Sequence, residues 1–455
     1  MVLHGFGALV FQHTHQVMSG VGQTPLAYQQ LGEQDVTSPD DVERSSALAP
    51  GGGSMHFQSP RLALAATAFF ILACGAGPER GKGEVPSKDK RQKSAEPRSD
   101  KGTLGGRTEV GKKGLACEGG FTLFEIHDAQ ARNAVCNSGE SARMHVRPGS
   151  GAHKDDWLIY FKGGGSCWSE ESCATRWEED RVLMRTPDPQ QLRTDGLFSN
   201  SAKKNPDFHD WNVVFVWSCT SDQWMGNRGA SDATGGFHFR GAAVVDAVVE
   251  DLLKRPPGGL PSLEDAGTLI VAGASAGTGA VRAHGDSIAK TVGADRTFLL
   301  HDSGIEPNVV PGFDDVLAKV YRDRYAYWKA EPNDACVAAE KDPATCMDNM
   351  VIVTKYLKHP VFANMDQLDG KATKRQELER GSKDEDKLAR AVRDVLLTDA
   401  FAGAYSLRRR SHTLVTTDTF FEPIAKTKAG DKISMAEALA NLVYDREGPT
   451  KAVVK

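Results

Sequence analysis

The chain carries no excess of positive charge. Its 455 residues hold 55 Lys and Arg against 60 Asp and Glu, a formal net charge of −5 with a pI near 6.2. Without a basic footprint, a nucleic-acid partner is not expected. The sequence also lacks an internal apolar run long enough to span a bilayer as a helix, and it shows no internal repeat. Residues 75–116 almost lack aromatic and large aliphatic side chains. Such a stretch cannot bury enough apolar surface to offset its conformational entropy, so a disordered tether is expected there. What is present, 40% hydrophobic and 25% charged residues, is the make-up of a soluble globular protein, with length enough for one large α/β domain.

The longest apolar stretch, "RLALAATAFFILACGAG" (61–77), has a basic flank, an apolar core and small residues around Cys74. That is the layout of a secretory signal. The tetrad Ile71-Leu72-Ala73-Cys74 is similar to a bacterial lipobox, which makes Cys74 the expected lipidation site and the membrane a partner through a lipid anchor. The expected organisation is therefore an upstream extension over 1–54, a signal peptide over 55–74, a tether over 75–116 and a folded domain over 117–455. Secretion, or retention at the cell envelope, follows from it.

Cysteine usage agrees with export. Cys167 and Cys173 lie close in sequence, as do Cys336 and Cys346, and short loops of that size suit disulfides in an oxidising compartment. Cys117, Cys136 and Cys219 remain, an odd number, so one of the three is left outside a pair within this set.

From Cys117 onward, near-continuous apolar runs at 156–161, 212–217, 267–272, 296–301 and 359–365 alternate with helical patterns. Runs of that kind are buried parallel strands, and the alternation predicts a mostly parallel, doubly wound α/β sheet in a single large domain. A charged helix or helix pair is expected over 370–397. Between the strand at 267–272 and the helix that follows lies "GASAG", a G-x-S-x-G turn on which Ser275 would be exposed at the carboxyl end of the sheet.

A serine nucleophile needs a base to take its proton and N–H donors for the oxyanion. "KGGGSCW" (162–168) follows an earlier strand and offers the amides of Gly165 and Ser166, with Ala276 after the nucleophile as the third donor. On this fold the acid and the histidine follow the serine. His412 is the expected base: His284 falls within the helix after the turn, His301 ends a strand and His359 starts one. For the acid, Asp366 directly beyond the strand at 359–365 is favoured, ahead of Asp369 and then Asp302. Asp369 is expected to be a solvated loop residue.

The blocks "CNSGESARMHVRPGS", "KGGGSCWSEESCATR", "FHDWNVVFVWSCTSDQWMGN", "GASAG", "HDSG" and "CVAAEKDPATCMDNMVIVTKYLKHPVFANMDQLD" occur in this order. The series resembles the pectin acetylesterase/Notum family of α/β-hydrolase carboxylesterases, in a bacterial member. The resemblance implies a Ser-Asp-His triad on Ser275, Asp366 and His412, an oxyanion hole on Gly165, Ser166 and Ala276, and no metal or other cofactor. It implies removal of O-acyl groups, acetyl from a polysaccharide such as pectin in the first place, with a long-chain lipid or protein deacylase as the alternative. A polysaccharide-binding surface lipoprotein without catalysis is the rival from another class. Ser166 stands where the family usually has Trp, and Asp222 and Trp224 are candidates to line the substrate pocket.

Overall fold

The computed structural model describes residues 114–188, 192, 194–426 and 430–455. The expected extension, signal peptide, Cys74 and all of the tether before residue 114 lie outside the described residues. All described residues belong to one compact unit, organised on a sheet of ten strands. In chain order the strands are β1 (Leu115–Ala116), β2 (Thr122–Glu125), β3 (Arg143–Arg147), β4 (Trp157–Phe161), β5 (Asn212–Val216), β6 (Thr268–Ala274), β7 (Arg296–Asp302), β8 (Val361–Asn364) and β9 (Gly403–Ser406). After a small ribbon of β10 (Ala425–Lys426) and β11 (Lys432–Ile433) comes β12 (Lys451–Val453).

The order across the sheet is β1-β2-β3-β5-β4-β6-β7-β8-β9-β12. β1, β2 and β3 pair antiparallel, and β3 meets β5 antiparallel. Every neighbour from β5 to β12 is parallel. The five expected strands are all present, and their apolar runs are explained by burial. Every residue of β4 and β5 is buried, as it must be when helices cover both faces. The antiparallel edge begins earlier than expected: Leu115 and Ala116, placed in the tether from sequence, pair with Leu123 and Thr122.

The helices are α1 (Glu170–Glu179), α2 (Gly241–Lys254), α3 (Thr278–Val292), α4 (Phe313–Trp328), α5 (Asp334–Ala339), α6 (Asn349–Lys355), α7 (Gly370–Arg375), α8 (Lys383–Leu396) and α9 (Met435–Val443). The charged stretch over 370–397 becomes the pair α7 and α8. In α8, Leu388, Ala389, Val392 and Leu396 recur at helical spacing and are buried, which docks a helix whose other side is charged.

Three disulfides occur among the described residues. Cys167–Cys173 and Cys336–Cys346 are the two expected short loops, and Cys136–Cys219 closes a separation of 83 residues. The Cys117 thiol donates to the carbonyl of Leu115 at 3.4 Å.

Register decides where the site forms. Ala274, Asp302, Asn364 and Tyr405 lie in one row across β6 to β9. Phe161 pairs with Gly273 one position earlier. The loops after β4, β6, β7, β8 and β9 therefore leave the carboxyl edge side by side, next to the point where strand order reverses about β4. Open α/β sheets place their ligands at such an edge.

Candidate active site

Ser275 sits immediately beyond β6 with φ at +52°, a left-handed conformation that costs a non-glycine residue roughly 1–3 kcal/mol. Two glycines make the turn sterically feasible. A Cβ on Gly273 would lie 2.2 Å from the Gly277 carbonyl oxygen, and one on Gly277 would lie 2.0 Å from that of Phe161. The Thr278 hydroxyl closes the turn by donating to the Ser275 carbonyl at 2.7 Å. The side chain thus stands on a rigid corner between β6 and α3.

His412 comes to this corner from the loop after β9. Its Nε2 lies 2.7 Å from Ser275 Oγ, and its Nδ1 lies 2.7 Å from Asp369 Oδ2. A carboxylate only accepts, so Nδ1 carries the proton and Nε2 is left to accept from the serine hydroxyl. The arrangement can accept a proton from Ser275 and hold the resulting imidazolium.

The carboxylate in this relay is Asp369 and not the favoured Asp366. Asp369 is fully buried rather than solvated. As the N-cap of α7 it accepts from the amides of Lys371 at 2.8 Å and Ala372 at 3.1 Å, and its other oxygen accepts from the Ser303 hydroxyl at 3.2 Å. Asp366 faces another way. It accepts from Arg409 Nε at 2.6 Å and from the Leu407 amide at 3.3 Å. Burial pushes its carboxyl up to about 7 although Arg409 opposes the shift. The physical reason lies in how two segments run together: Gln367 donates to the Leu407 carbonyl, Leu368 to that of Arg409 and Gly370 to that of Arg410. This pairing carries the chain past Asp366 before the turn into α7 brings Asp369 under His412.

Asp302, the third candidate acid, fixes the far side of the histidine loop. It accepts from the amides of Leu414 (2.9 Å) and Val415 (3.0 Å) and from Asn364 Nδ2 (2.6 Å). Burial raises its carboxyl to about 6, against the pull of these donors. His301 is buried within β7, where desolvation lowers its imidazole to about 3 and its Nδ1 meets the Ser303 carbonyl. His284 Nε2 meets the Trp224 carbonyl at 2.8 Å, and His359 pairs with Asp286. Neither contacts Ser275.

The glycine loop lies against the serine corner. A Cβ on Gly163 would come within 2.4 Å of the Ala274 carbonyl oxygen and 2.9 Å of Ser275 Cβ. Gly164 and Gly165 both have positive φ, and the N–H groups of Gly165 and Ser166 donate to no acceptor among the described residues. Buried Arg176 on α1 donates to the Gly164 carbonyl and, from Nε, to Ser221 Oγ at 2.9 Å. Since C=O and N–H point to opposite sides of a trans peptide, anchoring that carbonyl turns the Gly165 amide away from α1. The Cys167–Cys173 bond ties the same loop to the same helix. Gly165 and Ser166 follow Gly163 in this loop, and Ala276 follows Ser275 at the corner.

Asp222 and Trp224 do not line an open pocket. Asp222 is fully buried, accepting from Thr220 Oγ1, the Trp224 amide and the first amide of α2 at Gly241. Burial raises it to about 7. Trp224 is buried against Phe161 and donates to the Lys162 carbonyl at 3.2 Å. Gln223, between them, is half-buried and its Nε2 donates to Ser166 Oγ at 3.5 Å. Among the described residues no cluster of His, Cys, Asp and Glu could hold a metal ion.

A family model described as pectinacetylesterase matches residues 118–400, more than half of the chain. The chain belongs to the pectinacetylesterase family. Its relatives include the palmitoleoyl-protein carboxylesterase notum2 of Xenopus laevis, 31% identical over 170 residues that make up 37% of this chain and 33% of the relative. The human palmitoleoyl-protein carboxylesterase NOTUM is 32% identical over 37% of this chain and 32% of its own length. Pectin acetylesterase 11 of Arabidopsis thaliana is 29% identical over 37% and 41%. The aligned part thus spans about a third to two fifths of the length of these three relatives.

Sequence reasoning ranked Asp369 second, behind Asp366, and did not single out Ser303 or Arg176. One signal for Asp369 was legible: an Asp directly before the helical pattern at 370 is a natural N-cap, and N-caps are ordered rather than solvated. Ser303 and Arg176 gave no such sign, because only the packing of separate elements brings them to the corner.

Proposed function

We propose that this protein is a serine hydrolase of carboxylic esters that removes O-acyl groups, with Ser275, His412 and Asp369 as its triad. Ser275 Oγ attacks the ester carbonyl carbon while its proton passes to His412 Nε2. The carbonyl oxygen becomes an oxyanion stabilised by the amides of Gly165, Ser166 and Ala276, each donor worth a few kcal/mol of barrier. The carbon–oxygen bond to the alcohol then breaks and His412 returns the proton to that oxygen, leaving an acyl-serine. Water repeats the cycle, giving up its proton to His412 and releasing the carboxylic acid. Asp369 holds the imidazole tautomer throughout.

The observation that carries this reading is the pair of 2.7 Å contacts joining Ser275, His412 and Asp369 on a strained strand-to-helix corner. Ser275→Ala, assayed with p-nitrophenyl acetate and butyrate, is expected to lose about 10⁵–10⁶-fold in kcat. Unchanged turnover in the purified variant discards the mechanism. The relatives' names favour two acyl groups, acetyl on pectin and palmitoleoyl on protein. We take acetyl on a polysaccharide as the first substrate class; a rate maximum at long chains in an acyl-ester series would replace it with long-chain deacylation. Export fits three disulfides, and lipid anchoring at Cys74 belongs to the same reading. Intact mass of membrane-extracted protein tests it.

A further inference from the structure

Ser303 is the first residue beyond β7 and has φ at +75°, with Gly304 at +86° directly after it. Left-handed backbone strains a serine and does not strain a glycine. The turn is held from three sides by its own main chain. The Ser303 amide donates to the Asn364 carbonyl at 2.7 Å, and the Ser303 carbonyl accepts from His301 Nδ1 at 2.9 Å. Asn349 Nδ2 donates to the Gly304 carbonyl at 2.9 Å. None of these contacts uses the Ser303 side chain, so a glycine would fill the position with less strain. What serine adds is one hydroxyl, and the residue is fully buried. Strain of this kind persists where the surroundings over-determine it, commonly at active sites.

That hydroxyl stands where the acid meets the base. Ser303 Oγ lies 3.2 Å from Asp369 Oδ2, 3.1 Å from His412 Nδ1 and 3.6 Å from Met365 Sδ. It has a single proton to give. Nδ1 directs its own proton at Asp369, and a thioether is a weak acceptor, so the Ser303 hydroxyl donates to the carboxylate. Its lone pairs are then left facing Nδ1–H. The oxygen thus lies against the imidazole and the proton against the carboxylate, the orientation that suits the ion pair formed once His412 has taken the Ser275 proton. An interaction of that kind favours the transition state over bound substrate. Neighbouring Asp302 holds the backbone of the histidine loop through the Leu414 and Val415 amides, whereas Ser303 meets the ring itself.

We propose that Ser303 is a positioning residue of the triad, a fourth member whose hydroxyl aligns Asp369 and the His412 imidazole as the imidazolium forms. The proposal rests on the ester-hydrolase reading. Ser303 acts through Asp369 and His412 and not on the ester itself. Two variants separate the hydroxyl from the backbone: Ser303→Gly removes the hydroxyl and relieves the strain, and Ser303→Ala removes the hydroxyl and keeps the strain.

Both variants are expected to lose about ten- to hundredfold in kcat on p-nitrophenyl butyrate with KM little changed. The thermal midpoint of Ser303→Gly should stay close to that of the wild type. Labelling of Ser275 by a fluorophosphonate, in which Oγ displaces fluoride at phosphorus and His412 takes the hydroxyl proton, should slow by a similar factor. In an Asp369→Asn background the further loss from Ser303→Gly should shrink to less than about threefold, because the carboxylate it serves is gone. Wild-type kcat in Ser303→Gly, a loss confined to KM, or losses that multiply in full with Asp369→Asn would overturn the proposal. A wild type that neither turns over ester nor takes the label removes the hydrolase reading and this role with it. A labelled wild type matched by an equally reactive Ser303→Gly removes the role of Ser303 alone.

Discussion

The two sides of the candidate site are held by different physics. On the donor side, the glycine loop after β4 is tied to α1 by the Cys167–Cys173 bond and by the buried Arg176 guanidinium on the Gly164 carbonyl. On the acid–base side, no covalent link is present among the described residues. Segments 367–370 and 407–410 hydrogen-bond along their backbones, and Arg408, Arg409 and Arg410 pair in turn with Asp386, Asp366 and Glu385. The difference matches the tasks. Amide donors serve an oxyanion only if they are fixed before it forms, whereas an imidazole that takes and returns a proton must tolerate small shifts between its two partners.

The sharpest way to break this comparison is to separate the two aspartates. Asp369→Asn removes the acceptor that fixes the His412 tautomer, and kcat is expected to fall by about 10³–10⁴-fold. Asp366→Asn should cost less than about tenfold, since its carboxyl serves Arg409 and the Leu407 amide. Equal losses, or the reverse order, would return the acid's role to Asp366.

The donor side is next in size. Arg176→Ala frees the Gly164 carbonyl and should lower kcat by about 10²-fold while KM changes little, with partial recovery in Arg176→Lys. A loss confined to KM, or to thermal stability, would reduce Arg176 to packing.

The smallest expected effect is on stability against pH. Burial raises the carboxyls of Asp302 and Asp366 to about 6 and about 7. The folded state therefore holds their protons more tightly than the unfolded chain, whose Asp titrates near 4. Their contribution is full below that range and is lost as pH climbs toward 7. The thermal midpoint should fall between pH 5 and 8, and Asp366→Asn should flatten the fall. A slope that the variant leaves unchanged would show that Arg409, not burial, governs this carboxyl.

Much of the fold could be read from the chain because its strands are buried on both faces. Runs such as "DWLIYF" and "NVVFVW" need no partner to be recognised. The edge strands and β9 escaped because they are short, and "GAYS" is buried by its neighbours rather than by its own hydrophobicity. Ser275 was legible for a local reason: a strand, two glycines and a helix are consecutive. Asp369 was misjudged because its burial depends on a segment some forty residues later.

The sequence alone determined the α/β alternation, the serine corner and the supply of glycine amides, since each is written in consecutive residues whose sterics and periodicity act locally. Tertiary structure alone decided which aspartate meets His412 and that Asp222 and Trp224 are buried. Those outcomes depend on how distant segments pair and what they exclude from water, and no short stretch of chain encodes either.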